Sequence, residues 1–375
     1  MKMRTVISPL IALTMCFAAF SGCDRAAAPV VNEEDDWGAE IPEAELAKHR
    51  HRDLGQIVIA NRASGTISVI DANTDAVSGT YDLPEGDNTN EPMYVVWSAA
   101  KDLVYVGDRG NDRVVAFNPG DFSVAGEVAV GAGVFHMWAD FKGKKQLWVN
   151  NDVDKTTSVI DLETMTVVAT VPTPADLVDM GGKPHDVIVE ARGRAAYVSV
   201  IGVAGDNDYI VQFDTETFEE IGRAAVGNDP HLSLSPENRK LFVPCQGADK
   251  VFVLDLKTLA QITTIDVPNA HGAIMSLDGK ALYTTNISDG GSDGIFGVHA
   301  AKHIVKVTAD TPFPVPHNAA LTPQDRVGSR PKKLYITHSG ATADKVSVYD
   351  VSRRAPVHIT DITVGLNPFG LAFAR

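Results

Sequence analysis

Leu282-Tyr283-Thr284-Thr285-Asn286 is an apolar run that ends at a polar corner, and six more of its kind occur in the chain. They are Ile57-Val58-Ile59-Ala60-Asn61, Leu103-Val104-Tyr105-Val106-Gly107-Asp108, Leu147-Trp148-Val149-Asn150-Asn151, Ala196-Tyr197-Val198-Ser199-Val200, Leu241-Phe242-Val243-Pro244-Cys245 and Leu334-Tyr335-Ile336-Thr337-His338. Val, Ile, Thr and Tyr dominate, and the period is two, so these are strands and not helices. A second landmark follows most of them, an alternating strand that closes on Asp, as in Ile67-Ser68-Val69-Ile70-Asp71 and Val346-Ser347-Val348-Tyr349-Asp350. A third lies just after a turn: Pro92-Met93, Phe135-His136, Pro184-His185, Pro230-His231, Ala270-His271, Pro316-His317 and Pro368-Phe369. Successive third landmarks are 40 to 52 residues apart. A repeat of that length built from short strands makes one four-stranded propeller blade. Residues 56–375 are therefore expected to form an all-β, seven-bladed β-propeller. The chain enters on a first landmark and leaves on a third. Leu371-Ala372-Phe373 should then complete the blade begun at Ile57, closing the ring and removing a sheet edge.

The composition agrees with this and narrows the function. Hydrophobic residues at 44% and charged residues at 22% exclude a disordered chain. The 31 glycines and 20 prolines suit a turn-rich fold. A net charge of −15 disfavours nucleic acid as a partner, because phosphates are normally met by a basic face. Three cysteines do not make a disulfide framework. Cys245 ends an apolar run with no base pattern beside it and reads as a buried, inert thiol. No Gly-x-Ser-x-Gly, phosphate loop, dinucleotide fingerprint or His-Glu-x-x-His occurs, and nothing in the sequence requires catalysis.

The N-terminus carries its own message. Lys2 and Arg4 precede an apolar run from Val6 to Phe20, the pattern of an export signal over residues 1–22. Phe20-Ser21-Gly22-Cys23 resembles a bacterial lipobox, in which Cys23 is acylated; Phe20 departs from the usual Leu, which leaves an ordinary signal peptide as the alternative. Residues 23–55, with Asn32-Glu33-Glu34-Asp35-Asp36, read as an acidic tether. The expected picture is a monomeric propeller, lipid-anchored on the periplasmic side of the inner or outer membrane, facing an envelope protein or a small ligand.

Leu282-Tyr283-Thr284-Thr285-Asn286, with the Pro-His turns followed by Ser-Pro-Glu-Asn or Leu-Asp-Gly-Lys, resembles the YVTN β-propeller repeats of the YncE-like seven-bladed family. The resemblance covers roughly residues 56–375. It implies the fold more sharply than the function, since members are variously described as surface, DNA-interacting or cofactor-pathway proteins. Related propellers hold haem or copper on channel histidines. This chain lacks Cys-x-x-Cys-His, so no covalent c-type haem is expected.

In a propeller the innermost strand of each blade lines the central channel. The third landmarks would then place Met93, His136, His185, His231, His271, His317 and Phe369 at equivalent positions around one mouth. The five imidazoles would form an arc, with Met93 and Phe369 as an apolar wall opposite. Imidazole suits copper, zinc or iron, and a nearby thioether tilts the preference toward copper. The corner residues Asp108, Asn151, Asn286 and His338 would ring the same face. Crowding of like charges is expected to depress the imidazole pKa values. A histidine after proline is also part of the repeat's own pattern, and its ring could simply bond a neighbouring blade. Two functions follow: a non-catalytic binding or scaffold module acting through its top face and channel, or a metal or redox-cofactor protein using the histidine arc.

Overall fold

The computed structural model describes residue 37 and residues 53–139, 145–288, 291–322 and 332–375. The export signal, Cys23 and the tether as far as residue 52 lie outside the described residues, apart from Trp37. Among the described residues there are seven antiparallel sheets of four strands each. In the first, β28 (Pro368–Ala374) is followed outward by β1 (Gln56–Asn61), β2 (Thr66–Asp71) and β3 (Ala76–Asp82). Ile57 pairs with Phe373, Val58 with Ala372 and Ile59 with Leu371. The C-terminal strand therefore closes the ring through the first blade.

The apolar runs are continuous because each inner strand is covered on both faces. In β1, Val58 and Ala60 pack into a cluster with Val95, Val104 and Val106 of the next blade. Ile57 and Ile59 point the other way, into a cluster with Tyr335, Val346 and Val348 of the preceding blade. Side chains alternate across a strand, so one blade feeds two inter-blade cores. Burying each such Val or Ile is worth roughly 1.5–3 kcal/mol. Tyrosine hydroxyls fasten neighbouring blades, as where Tyr283 Oη donates to the Arg354 carbonyl at 2.9 Å. The outermost strand is wetted on one face, and the pattern of β3 alternates accordingly.

The aspartate that closes the second landmark has a local job. Asp71 Oδ1 accepts the Asn73 N–H at 2.7 Å, and Asp161, Asp214, Asp255 and Asp350 repeat this two residues on. These are Asx turns, which start the hairpin into the outer strand. Cys245 is fully buried and its thiol pKa is driven far above the usual range by burial, in keeping with an inert residue.

Candidate functional site

Six further inner strands surround the axis with β28. They are β4 (Pro92–Ser98), β8 (Val134–Ala139), β12 (Lys183–Val189), β16 (Ser233–Leu234), β20 (Ala270–Met275) and β24 (Pro316–Leu321). At or next to its start, each stands opposite the corner residue of the next strand out: Pro92 with Asp108, Val134 with Asn151, Pro184 with Val200, Ala270 with Asn286, Pro316 with His338 and Pro368 with Asn61. In the short β16 blade the matching pair is Pro230 with Cys245. The register then shifts in a β-bulge, after Pro92, Val134, Pro184, Ala270 and Pro316. A bulge breaks the strict alternation of a strand, so two successive side chains are free to face the axis.

This register defines two tiers. One residue past the starting pair stand Met93, Phe135, His185, His231, His271, His317 and Phe369. One residue further stand Tyr94, His136, Asp186, Leu232, Gly272, Asn318 and Gly370. His136 thus departs from the sequence reading by one residue. The equivalent of His185 in its blade is Phe135, and His136 belongs to the second tier with Tyr94 and Asp186. Gly272 and Gly370 are dictated by close approach, since a Cβ at Gly272 would meet the His317 carbonyl oxygen at 2.1 Å.

The five imidazoles nevertheless converge. His185 Nε2 lies 3.3 Å from His231 Nε2, which lies 3.2 Å from His271 Nε2. His271 stacks on His317 at 4.8 Å between ring centres, and His317 meets Phe369 at 4.1 Å. From the second tier, the His136 ring is 5.0 Å from His185 and 5.3 Å from His231. One ligand atom each from His136, His185 and His231 falls within 4.8 Å of the others. Tyr94 stacks on His136 at 3.7 Å, and Phe135 meets Phe369 at 6.1 Å to form the apolar side. Met93 holds its first-tier place by register and is fully buried, but it does not border the cavity below, which its strand meets from Tyr94 onward. The guanidinium of Arg62 sits over Phe369 and that of Arg109 over Phe135.

Asp186 organises the cluster. Its carboxylate takes the His136 Nδ1 at 3.0 Å, the Val187 N–H at 2.7 Å and the Leu232 N–H at 2.8 Å. Burial pushes the Asp186 pKa up to about 6, so at neutral pH it is the acceptor and His136 Nδ1 the donor. The Asp229 carboxylate stands 3.6 Å from His185 Nε2. Burial holds His136, His185, His271 and His317 well below the usual imidazole range, with repulsion from neighbouring histidines second. His231 is lowered too, again chiefly by burial, and Asp186 pulls it back up. The rings are therefore uncharged near neutral pH because they are dry more than because they are crowded. His136 Nε2, His231 Nδ1 and His271 Nδ1 are buried without a hydrogen-bond partner.

The corner residues are turned to other work. Asp108 pairs with Arg113 at 3.0 Å and accepts the Glu91 N–H. The Asn151 amide lies 2.9 Å from Ser158 Oγ, and Asn286 Oδ1 accepts from Ser288 Oγ at 2.6 Å. His338 is held between the Pro314 carbonyl and Ser347 Oγ. None of the four borders the channel cavity. Asp186 and Tyr94 were not singled out by the sequence reading; the signal available was their place directly after a Pro-His and a Pro-Met pair.

A family model described as "Lactonase, 7-bladed beta-propeller" matches residues 44–256. The chain is 22% identical over 231 residues to the "Uncharacterized protein YncE" of Salmonella typhimurium strain LT2, a match covering 60% of this chain and 64% of that one. Among solved structures it is similar to a hydrazine synthase of Kuenenia stuttgartiensis (TM-score 0.63, 15% identity, 76% of this chain and 90% of that). It is likewise similar to a functionally unknown protein of Desulfotomaculum acetoxidans (0.65, 12%, 86% and 99%). The Cps50 (Swd1) propeller domain of Myceliophteria thermophila also resembles it (0.61, 14%, 76% and 91%). At these identities the structural likenesses speak for the fold alone.

Proposed function

The chain belongs to the lactonase-type seven-bladed β-propeller family, and from that premise we propose that it acts as a non-catalytic envelope binding module whose channel histidines hold a transition-metal ion. One observation carries this reading: the spacing of the ring nitrogens, 3.3 Å between His185 and His231 and 3.2 Å between His231 and His271. Two imidazoles on one tetrahedral ion, bound at about 2.0–2.1 Å, keep their nitrogens about 3.3 Å apart. His231 Nε2 faces two other ring nitrogens, yet a ring nitrogen has a single in-plane site, so hydrogen bonds alone satisfy this contact poorly. A cation shared by His136, His185 and His231, one ligand atom of each lying within 4.8 Å of the others, takes their lone pairs instead. His136, bonded through Nδ1 to Asp186, has the carboxylate–histidine arrangement that orients metal-ligating imidazoles. Uncharged rings are the form that ligates, and copper, zinc and iron all suit the donor set.

Protein purified without tag or chelator, then offered Cu(II), Zn(II) or Fe(II) in turn, is expected to hold about one equivalent of one of these by elemental analysis. The His185→Ala/His231→Ala variant should lose it while keeping the melting behaviour of a folded propeller. A metal-free protein that takes up none of the three overturns the reading.

The proposal includes attachment to the membrane through a lipid on Cys23, with the propeller in the periplasm. Cys23→Ser is then expected to move the protein from the membrane fraction to the soluble one. Equal fractionation of the two forms would rule the anchor out.

A further inference from the structure

Past the second tier the channel opens into a chamber of about 500 Å³. Its wall comes from the inner-strand residues that follow the bulge, above all Trp97, Met137, Trp138, Met275, Leu321 and Phe373. Asp186, His136 and His231 stand at its histidine end. Its far end reaches Leu277, which is 45% exposed, and the exposed Arg375, so it opens on the face away from the histidines.

We propose that this chamber binds a small, uncharged, planar aromatic molecule carrying one hydroxyl or N–H donor, which enters from the face opposite the histidine tier. The volume is that of a small-molecule pocket, and a mostly apolar wall with a few convergent polar groups at one end is the usual form of such a site. Indole rings and thioethers make a soft, polarisable wall that favours a flat π-surface. An ionised ligand would lose its hydration against that wall. An anion would in addition face the Asp186 carboxylate, whose oxygens already accept three hydrogen bonds.

The donor follows from His136. Its Nδ1–H is committed to Asp186, which leaves the Nε2 lone pair as an acceptor, buried and without a partner. A ligand hydroxyl or N–H meets that need. When His136 carries an ion, the same ligand heteroatom meets the ion instead. The inference rests on the channel being the binding element of the proposed function, but it requires no metal.

The test uses chelator-treated full-length protein, so that failure to bind metal and failure to bind an aromatic are read separately. Calorimetric titration with 2-naphthol is expected to show one saturable site. Its methyl ether, which has the same rings and no donor, should bind about tenfold more weakly, the worth of one neutral hydrogen bond. The anion 2-naphthoate should show no saturable binding. Ala319→Phe and Ala372→Phe each place a ring into the chamber from a wall position, and whichever melts as a folded propeller should lose 2-naphthol binding. No saturable binding of 2-naphthol by folded protein overturns the proposal. So does equal affinity for 2-naphthol and its ether, or unchanged binding by a folded chamber-filling variant. If both variants unfold, competition is read instead: quenching of wild-type tryptophan fluorescence on 2-naphthol binding, expected from Trp97 and Trp138, overturns the proposal if absent.

Discussion

Deletion of residues 366–375 is expected to turn a protein that melts cooperatively and stays soluble into one that aggregates. The lost strand, β28, supplies the innermost ladder of the first blade, pairing with β1 from Gln56 to Asn61. It also carries contacts around the ring. Phe373 packs edge-on against Trp97 of the next blade, and the Phe369 carbonyl accepts a 2.8 Å hydrogen bond from Thr337 Oγ1 of the preceding one. Without it, β1 presents an unpaired edge and two inter-blade clusters lose one wall, and the first blade keeps only outer contacts to the last, such as Ile57 and Ile59 on Tyr335 and the Lys333–Asp75 pair. An open ring exposes strand edges that template pairing with other chains. The loss is comparable to the whole net stability of a domain, about 5–15 kcal/mol. Sedimentation and thermal unfolding check this. A truncated protein that stays soluble with an unchanged midpoint refutes the closure as a source of stability.

Asp186→Asn is expected to have the second-largest effect, and it separates a metal-holding cluster from a merely structural one. The side chain keeps its volume, but one accepting oxygen becomes a donor. The Asp186 oxygens take N–H groups from His136, Val187 and Leu232. In either amide orientation the new NH₂ faces at least one N–H, leaving a buried donor unsatisfied at a cost of about 1–3 kcal/mol. His136 also loses the carboxylate that fixes its tautomer and ring orientation. Metal affinity should therefore fall by about 10–100-fold. A calorimetric metal titration beside a denaturant melt reads both. A variant destabilised as expected but with undiminished metal affinity would confine Asp186 to a structural role and remove it from the site.

The landmarks that were legible in the chain are those tied to local chemistry. Asp71 and its counterparts cap hairpins two residues away, so an aspartate at the end of an alternating strand marks each blade. Ile57–Asn61 is apolar throughout because both its faces meet neighbouring blades, which sets the propeller apart from a sheet with one wet face. The phase offset between Ile57 and Pro368-Phe369 was enough to foresee the strand that closes the ring. His185, His231, His271 and His317 could be aligned because each follows a turn residue opposite a corner. His136 could not, since its blade carries Phe135 and not a histidine one residue past Val134, and alignment on the histidine itself slipped the register by one.

What the sequence by itself determined is the ring: seven blades, their order, their closure and a histidine-rich axis, all of which follow from periodicity and turn chemistry acting over a few residues. What only the tertiary structure decided is how side chains meet across the axis. The bulges at the start of the inner strands let two successive residues face inward, which brings His136 and Asp186 of the second tier against His185 and His231 of the first. The corners Asp108, Asn151, Asn286 and His338 were drawn into hydrogen bonds within and between blades instead of lining the channel. The depth of burial that keeps the imidazoles neutral, and the chamber beneath them, arise from seven strands converging at once. Distances between residues 40 or more positions apart are set by packing, and no local pattern in the chain encodes them.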